Sequence, residues 1–259
     1  MTPAWPLVHV AGLPFAAITQ SQAVEHIVVS ALAGHGGWLV TPNVDIVRQC
    51  VTSEPIGALV RQADLLVADG MPIVWAARAQ GTPLPERVAG SNLVEAISAQ
   101  AAVYGLKLFL LGGDEGVADQ AKRMLESRHP GLKIVGTYCP PVGFEHMPQQ
   151  WDAMAKLVAE SSPDIVYVAL GFPKQEKLIQ ALRPAAPDAW WLGIGISLSF
   201  SGGVIARAPS WMQRTGMEWV HRMLQDPKRL AKRYLVHGIP FAVRLFWMAC
   251  KARKQQGQP

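Results

Sequence analysis

Ile165-Val166-Tyr167-Val168-Ala169-Leu170-Gly171-Phe172-Pro173-Lys174-Gln175-Glu176 is the stretch that decides how this chain folds. A continuous apolar run, rich in β-branched side chains, ends on a Gly-Phe-Pro turn and gives way to charged and polar residues. A strand apolar on both of its faces has no solvent side, which is the condition of a parallel sheet covered by helices. The turn then opens a helix, so the run reads as one strand-helix unit.

The same unit recurs outward in both directions. Apolar runs at 37–40, 65–68, 107–111, 133–137 and 190–194 alternate with helix-period segments such as 118–128 and 151–160. This rhythm predicts an α/β fold, a Rossmann-like parallel sheet with helices on both faces. Each run ends on a polar or glycine-rich turn: Thr41-Pro42-Asn43, Asp69-Gly70, Gly112-Gly113-Asp114, Gly171-Phe172-Pro173 and the turn at 193–197. Open α/β sheets bind ligands beyond the carboxyl ends of their strands, so these turns nominate the site before any chemistry is considered.

Beyond Pro209 the strand signal stops. Two helical stretches are expected, 210–225 and one from Pro227 onward, the second begun by Asp226 as cap with proline at the first helical position. A bend is expected near Gly238-Ile239-Pro240. From Arg207 onward the chain carries eleven Lys and Arg against Glu218 and Asp226 alone, which leaves 13 basic and 17 acidic residues for the rest. A mildly acidic body at 1–206 thus carries a basic, apolar, helical appendage at 207–259. Such a segment is suited to anionic or lipidic partners.

With 259 residues, 50% hydrophobic and 17% charged, the chain can bury a large core and is not disordered. Met1 to Pro14 lacks the basic start and apolar stretch of a secretory leader, which predicts a cytoplasmic protein. The most apolar stretch, 239–250, is broken by Pro240 and Arg244 and falls short of the roughly 20 residues of a membrane span. It is long enough to lie on a bilayer. Cys50, Cys139 and Cys250 are far apart and have no metal-ligand spacing, so three free thiols are expected.

Asp69 follows Leu65-Leu66-Val67-Ala68, which puts a carboxylate at the carboxyl edge of the sheet as a candidate general base or as a helix cap. Asn43 carries the same two readings. Gln175 and Lys174 stand at a helix start, where backbone N–H groups favour polar or anionic ligands, and Glu176 there would favour the helix dipole. The Gly112 turn lacks the full glycine fingerprint of a dinucleotide site. Arg87 lies in a loop leading to a helix capped by Ser91 or Asn92, with Glu86 or solvent as its default partner. Arg222, Arg229 and Arg233 recur at spacings of seven and four, near one helical face. Glu218 is placed to pair with Arg222, but three guanidinium groups exceed what it needs and suit phosphate oxygens. There is no Asp-x-Asp to hold a divalent ion, no HExxH and no GxSxG. If a nucleotide sugar is the substrate, cationic side chains must neutralise the leaving group without a metal.

Thr41-Pro42-Asn43, Ala68-Asp69-Gly70, Pro140-Pro141-Val142-Gly143-Phe144, Gly171-Phe172-Pro173-Lys174-Gln175-Glu176 and Arg207-Ala208-Pro209 occur in one order, followed by Gly216-Met217-Glu218-Trp219 and Arg233-Tyr234. In this the chain resembles the WecG/TagA/CpsF glycosyltransferases, family 26, from about residue 10 to 246. The resemblance implies an inverting, metal-independent enzyme without a cofactor. It implies transfer of a hexose, N-acetylmannosamine or glucose, from a UDP-sugar donor to a sugar on a polyprenyl diphosphate at the inner face of the cell membrane. It further implies Asp69 as general base, Thr41, Asn43 and Gln175 as pocket residues, and Arg87 as a contact to sugar or diphosphate. Arg222 and Arg229 match arginines that close over the donor diphosphate, and a third match falls at Lys232 or Arg233. Where many members read Phe-Asp-Phe, this chain has Leu198-Ser199-Phe200, which leaves the donor sugar open. The tail's Leu235, Phe241, Leu245, Phe246 and Trp247 are expected to hold the enzyme on the bilayer.

Two other classes compete. A nicotinamide oxidoreductase would use such a sheet but needs the missing fingerprint and a suitable acidic residue. A non-catalytic membrane- or nucleic-acid-binding protein would explain the basic tail and leave the constellation at the strand ends unexplained, so no nucleic-acid partner is expected. The sequence leaves the choice between monomer and homo-oligomer open.

Overall fold

The computed structural model describes residues 5–256; residues 1–4 and 257–259, the outer ends of the expected body and appendage, lie outside the described residues. A hairpin of β1 (Leu7–Val10) and β2 (Leu13–Ala16) leads into α1 (Gln20–Leu32). Then follow β3 (Gly37–Val40), α2 (Val44–Thr52), α3 (Glu54–Val60), β4 (Leu65–Leu66), α4 (Met71–Ala79) and α5 (Gly90–Tyr104). The second half runs β5 (Lys107–Gly112), α6 (Val117–Arg128), β6 (Lys133–Tyr138), α7 (Pro148–Ser161), β7 (Ile165–Ala169), α8 (Lys174–Leu182), β8 (Trp190–Gly193) and α9 (Ser197–Ser201). All six anticipated strands form one sheet in the order β4-β3-β8-β7-β5-β6, and every pairing within it is parallel.

The strands are apolar throughout because both faces are covered. Along β5, Phe109 and Leu111 enter one buried cluster with residues of α2, α4, α7 and α8, while Leu108 and Leu110 enter the other with α1, α5, α6 and α9. Period-two alternation delivers each strand to two cores at once. The hairpin was not anticipated from the sequence. Its two-residue turn uses Ala11 and Gly12, both at positive φ (51° and 79°), in place of the usual Asn-Gly signal.

The appendage is helical, with one correction to the expected layout. The stretch 210–225 is split into α10 (Ser210–Arg214) and α11 (Glu218–Gln225). At the break Gly216 has φ +74°, and a Cβ there would come within 2.7 Å of Met71 Cγ, so only glycine lets this turn press on α4. From α12 (Pro227–Ala231) to α13 (Ile239–Gln256) the backbone stays helical through Gly238-Ile239-Pro240. A π-helical segment, Lys232–Gly238, precedes the proline; its i→i+5 pattern relaxes the ladder where Pro240 has no N–H to give. Asp226 caps α12 as expected, its Oδ1 accepting from Arg229 N at 3.3 Å.

One stripe of α13, Phe241, Leu245 and Ala249, is buried in the body's core cluster with Ile73, Ala76 and Ala77 of α4. Phe241 and Leu245 therefore face the protein, contrary to their expected place at a bilayer; Leu235, Phe246 and Trp247 remain exposed. All three cysteines are free. Among the described residues, no helix is long and apolar enough to cross a membrane.

Candidate active site

The carboxyl ends of β3, β4 and β8 and the start of α8 form the floor of a cleft of about 350 Å³, which α11, α12 and the segment Lys232–Gly238 roof. Thr41, Asn43, Asp69 and Arg87 line it from the body, with Gln175 across the floor. Arg222, Arg229 and Arg233 line it from the appendage. These eight residues thus line one cavity, although 192 positions separate the first from the last.

Asp69 is held by two backbone bonds and faced by one guanidinium. Its N–H donates to Pro42 O at 3.0 Å, which ties the β4 end to the Thr41-Pro42-Asn43 turn. It does not cap α4, whose N-cap is Gly70 without a side-chain bond. Nor do Ser91 or Asn92 cap α5: that helix starts after Ala89, and Gly90 N donates to Asp69 Oδ2 at 3.2 Å. Removal from water raises the Asp69 pKa, opposed first by the Arg87 guanidinium, whose Nε lies 3.9 Å from Oδ1. Glu218 adds to the rise; the Gly90 bond and Arg222 work against it. A Cβ on Gly90 would stand 3.2 Å from Thr41 Oγ1, 3.8 Å from Ser197 Oγ and 3.9 Å from Asp69 Oδ2. Three side-chain oxygens therefore converge on one bare stretch of backbone, a surface suited to sugar hydroxyls.

The other residues divide into those with free groups and those already engaged. Asn43 caps α2, Oδ1 accepting from Asp45 N (3.0 Å) and Ile46 N (3.1 Å), which leaves its amide nitrogen to donate. Gln175 is buried: Nε2 donates to Glu176 Oε1 at 2.9 Å, and Oε1 accepts from Gly195 N at 3.1 Å. One N–H and one lone pair remain for a ligand. Lys174 points elsewhere, pairing with Glu145 and lying 5.5 Å over the Phe144 ring. Glu176 does not serve the helix dipole at a surface; it is wholly buried.

The arginines are sorted by their carboxylates. Glu218 does not take Arg222; its Oε2 accepts from Arg87 Nη2 at 3.2 Å, and its Oε1 lies 3.8 Å from Arg207 Nε. Arg233 Nε lies 3.0 Å from Asp45 Oδ2, and Arg229 pairs with Asp226. Arg222 is the lining arginine without an ion-pair partner among the described residues. Its guanidinium sits 6.0 Å from the centre of the Phe200 ring, and its Nε is buried with no acceptor. These partners were not legible beforehand: Glu218 was expected to pair with Arg222, and nothing marked Asp45, Ser197 or Gly90 as part of the site. Ser199 is the third residue of α9, its carbonyl accepting from Val204 N at 3.0 Å. No three His, Cys, Asp or Glu side chains stand together as metal ligands among the described residues.

A family model, that of the glycosyl transferase WecG/TagA/CpsF family, matches residues 8–255. The chain belongs to the WecG/TagA/CpsF family of glycosyltransferases. A relative from Staphylococcus aureus (strain MW2), named N-acetylglucosaminyldiphosphoundecaprenol N-acetyl-beta-D-mannosaminyltransferase, is 30% identical over 227 residues, covering 87% of this chain and 87% of the relative. One of the same name from Bacillus spizizenii is 30% identical over 207 residues, covering 80% and 78% of the two chains. The match takes in the appendage as well as the sheet, so in this WecG/TagA/CpsF chain both walls of the cleft lie within the family's common extent.

Proposed function

We propose that the cleft is the active site of an inverting, metal-independent transferase that moves a hexose from a UDP-sugar to a sugar carried on a polyprenyl diphosphate, in the synthesis of a surface polysaccharide. The observation that carries this reading is the presence in one cleft of the Asp69 carboxylate, fixed by Gly90 N–H and Arg87, and of the Arg222 guanidinium, which has no ion-pair partner among the described residues. The relatives' names supply the acceptor class, a sugar on diphosphoundecaprenol, and an N-acetylmannosamine-type donor residue. Glucose remains the competing donor, because Ser199 stands where many members have aspartate.

In this mechanism an acceptor hydroxyl lies on the Asp69 carboxylate. As its oxygen forms a bond to the anomeric carbon, its proton passes to Asp69 and the bond from that carbon to the diphosphate oxygen breaks on the opposite face. One displacement inverts the configuration. Arg222 meets the negative charge growing on the departing UDP, with Arg229 and Arg233 beside it; a well-placed donor in such a site contributes about 3 kcal/mol. Arg87 holds Asp69 and Glu218 together and so keeps the appendage closed over the acceptor. Thr41, Asn43 and Gln175 hold sugar hydroxyls.

The acceptor is a membrane lipid, and the appendage is suited to reach it. Leu235, Val236, Ile239, Val243, Phe246 and Trp247 are exposed and recur as one helical stripe. Lys232, Arg244, Lys251, Arg253 and Lys254 accompany them along the same stretch, and Lys251 Nζ lies 5.6 Å from the Trp247 ring centre. An apolar stripe with basic neighbours settles in the headgroup layer of an anionic membrane. The enzyme then works peripherally at the cytoplasmic face.

The test is UDP release from a panel of UDP-sugars with a synthetic polyprenyl-diphosphate monosaccharide, in EDTA. Acceptor-dependent release from one donor, abolished by Asp69→Asn, is the expected result. A wild-type protein that releases no UDP from any donor refutes the reading.

A further inference from the structure

Glu176 is a buried acid that the mechanism above does not use. Oε1 accepts from Gln175 Nε2, whereas Oε2 is buried without a partner among the described residues. Gln175 Oε1 in turn accepts the N–H of Gly195. Between them Gly193 has no room for a side chain: a Cβ would come 2.5 Å from Gln175 Nε2 and 3.1 Å from Glu176 Oε1. Carboxyl, amide and strand end are thus in mutual contact, and Gln175, Gly193 and Gly195 are themselves cleft wall.

We propose that Glu176 is a positioning residue of the transferase, one that acts as an un-ionised acid to hold the Gln175 amide, and through it the 193–195 wall, in the geometry that receives the donor. This rests on the transferase reading. No cation acts on Glu176 among the described residues, and burial pushes its pKa up to about 7 from 4.5 against the weaker pull of the Gln175 bond. The facing titratable group is Cys50 on α2, whose own thiol is pushed up to about 12 by burial first and by Glu176 second, with Arg61 opposing. Ionisation of Glu176 would place a charge where only a lone amide can answer it, and an unanswered buried charge is relieved by movement of its surroundings. The movable part is the Gln175 amide, which the charged carboxylate would draw toward itself and off the Gly195 N–H. Because cleft geometry controls rate steeply, a displacement of about 1 Å there costs up to about a hundredfold.

The experiment compares wild type, Glu176→Gln and Glu176→Ala by kcat/KM against pH and by hydrogen exchange at the Gly195 amide. Wild-type kcat/KM should fall as pH rises through about 7, and Glu176→Gln, which cannot ionise, should lack that descending limb. Glu176→Ala should lose about tenfold or more in kcat/KM at all pH values and about tenfold of the Gly195 exchange protection, which Glu176→Gln keeps. A descending limb that persists in Glu176→Gln, or Gly195 protection unchanged in Glu176→Ala, overturns the proposal. If Glu176→Ala does not fold, the Glu176→Gln pH profile decides. If the wild type transfers no sugar, the transferase reading fails while Gly195 exchange against pH, wild type against Glu176→Gln, still decides whether Glu176 holds the wall.

Discussion

Replacing Leu245 and Trp247 one at a time separates the two faces of α13, because the structure assigns them opposite environments two residues apart. Leu245 is 1% exposed, packed on α4, whereas Trp247 is 64% exposed. Leu245→Ala removes buried methyl groups and leaves a cavity, a change that costs about 2–5 kcal/mol. At about 2.1 cal/mol/K of unfolding entropy per residue, 259 residues give about 0.5 kcal/mol/K, so the melting temperature should drop by roughly 4–9 °C. Trp247→Ser removes nothing from the core and should move it by about 1 °C or less. The vesicle assay should rank the two the other way. With 64% of its surface exposed, a tryptophan has about 160 Å² to give a membrane, worth up to about 4 kcal/mol. If half of that enters the headgroup layer, Trp247→Ser weakens binding to anionic vesicles about thirtyfold, while Leu245→Ala leaves it within a few-fold. Differential scanning calorimetry and liposome flotation of the full chain read both quantities. A Leu245→Ala protein of unchanged melting temperature that floats poorly would mean the face assignment is inverted; flotation indifferent to Trp247 would remove the membrane role from this stripe.

Other consequences test the site itself. Asp69→Asn should lower kcat by about 10²–10⁴ while the Kd for UDP, measured by calorimetry, changes less than threefold. Because burial raises the Asp69 pKa and Arg87 is the first influence opposing it, the acid limb of kcat/KM should lie above the usual aspartate value, and Arg87→Met should shift it to higher pH still. Arg222→Met should cost about 10²-fold in kcat/KM without lowering stability by more than about 1 kcal/mol, since among the described residues no carboxylate loses its partner. For Glu176, a folded-state pKa of about 7 against 4.5 makes the native state the better proton binder, so its contribution is most favourable below 4.5 and declines as pH rises through about 7. The decline amounts to about 3 kcal/mol, and urea unfolding at pH 4.5 and pH 8 should show it in the wild type and not in Glu176→Gln.

The resemblance of the motifs brought the candidate residues to notice, but their environments came from packing. For Asp69, position allows cap or base; packing puts Gly70 at the cap position of α4 and gives Asp69 the N–H of Gly90, the first residue of α5. Gln175 lines the cleft, yet its amide is engaged at both ends by partners at positions 176 and 195. Lys174, adjacent in sequence and equally polar, points to Glu145 and leaves the cleft altogether.

By itself, the sequence determined what depends on local order: six apolar runs with turn residues at their ends, the helical periods between them, the cap at Asp226 and the basic character of everything after Arg207. Strand periodicity and turn chemistry act over a few residues, so one chain suffices to read them. Only the tertiary structure decided which carboxylate neutralises which arginine, which stripe of α13 is buried and which acid is stranded in the core. Glu218 takes Arg87 from 131 positions away in preference to Arg222 one turn along its own helix, because the appendage folds back across the strand ends. Charge pairing is settled by distance in space and by exclusion of water, and neither is written in the spacing of residues along the chain.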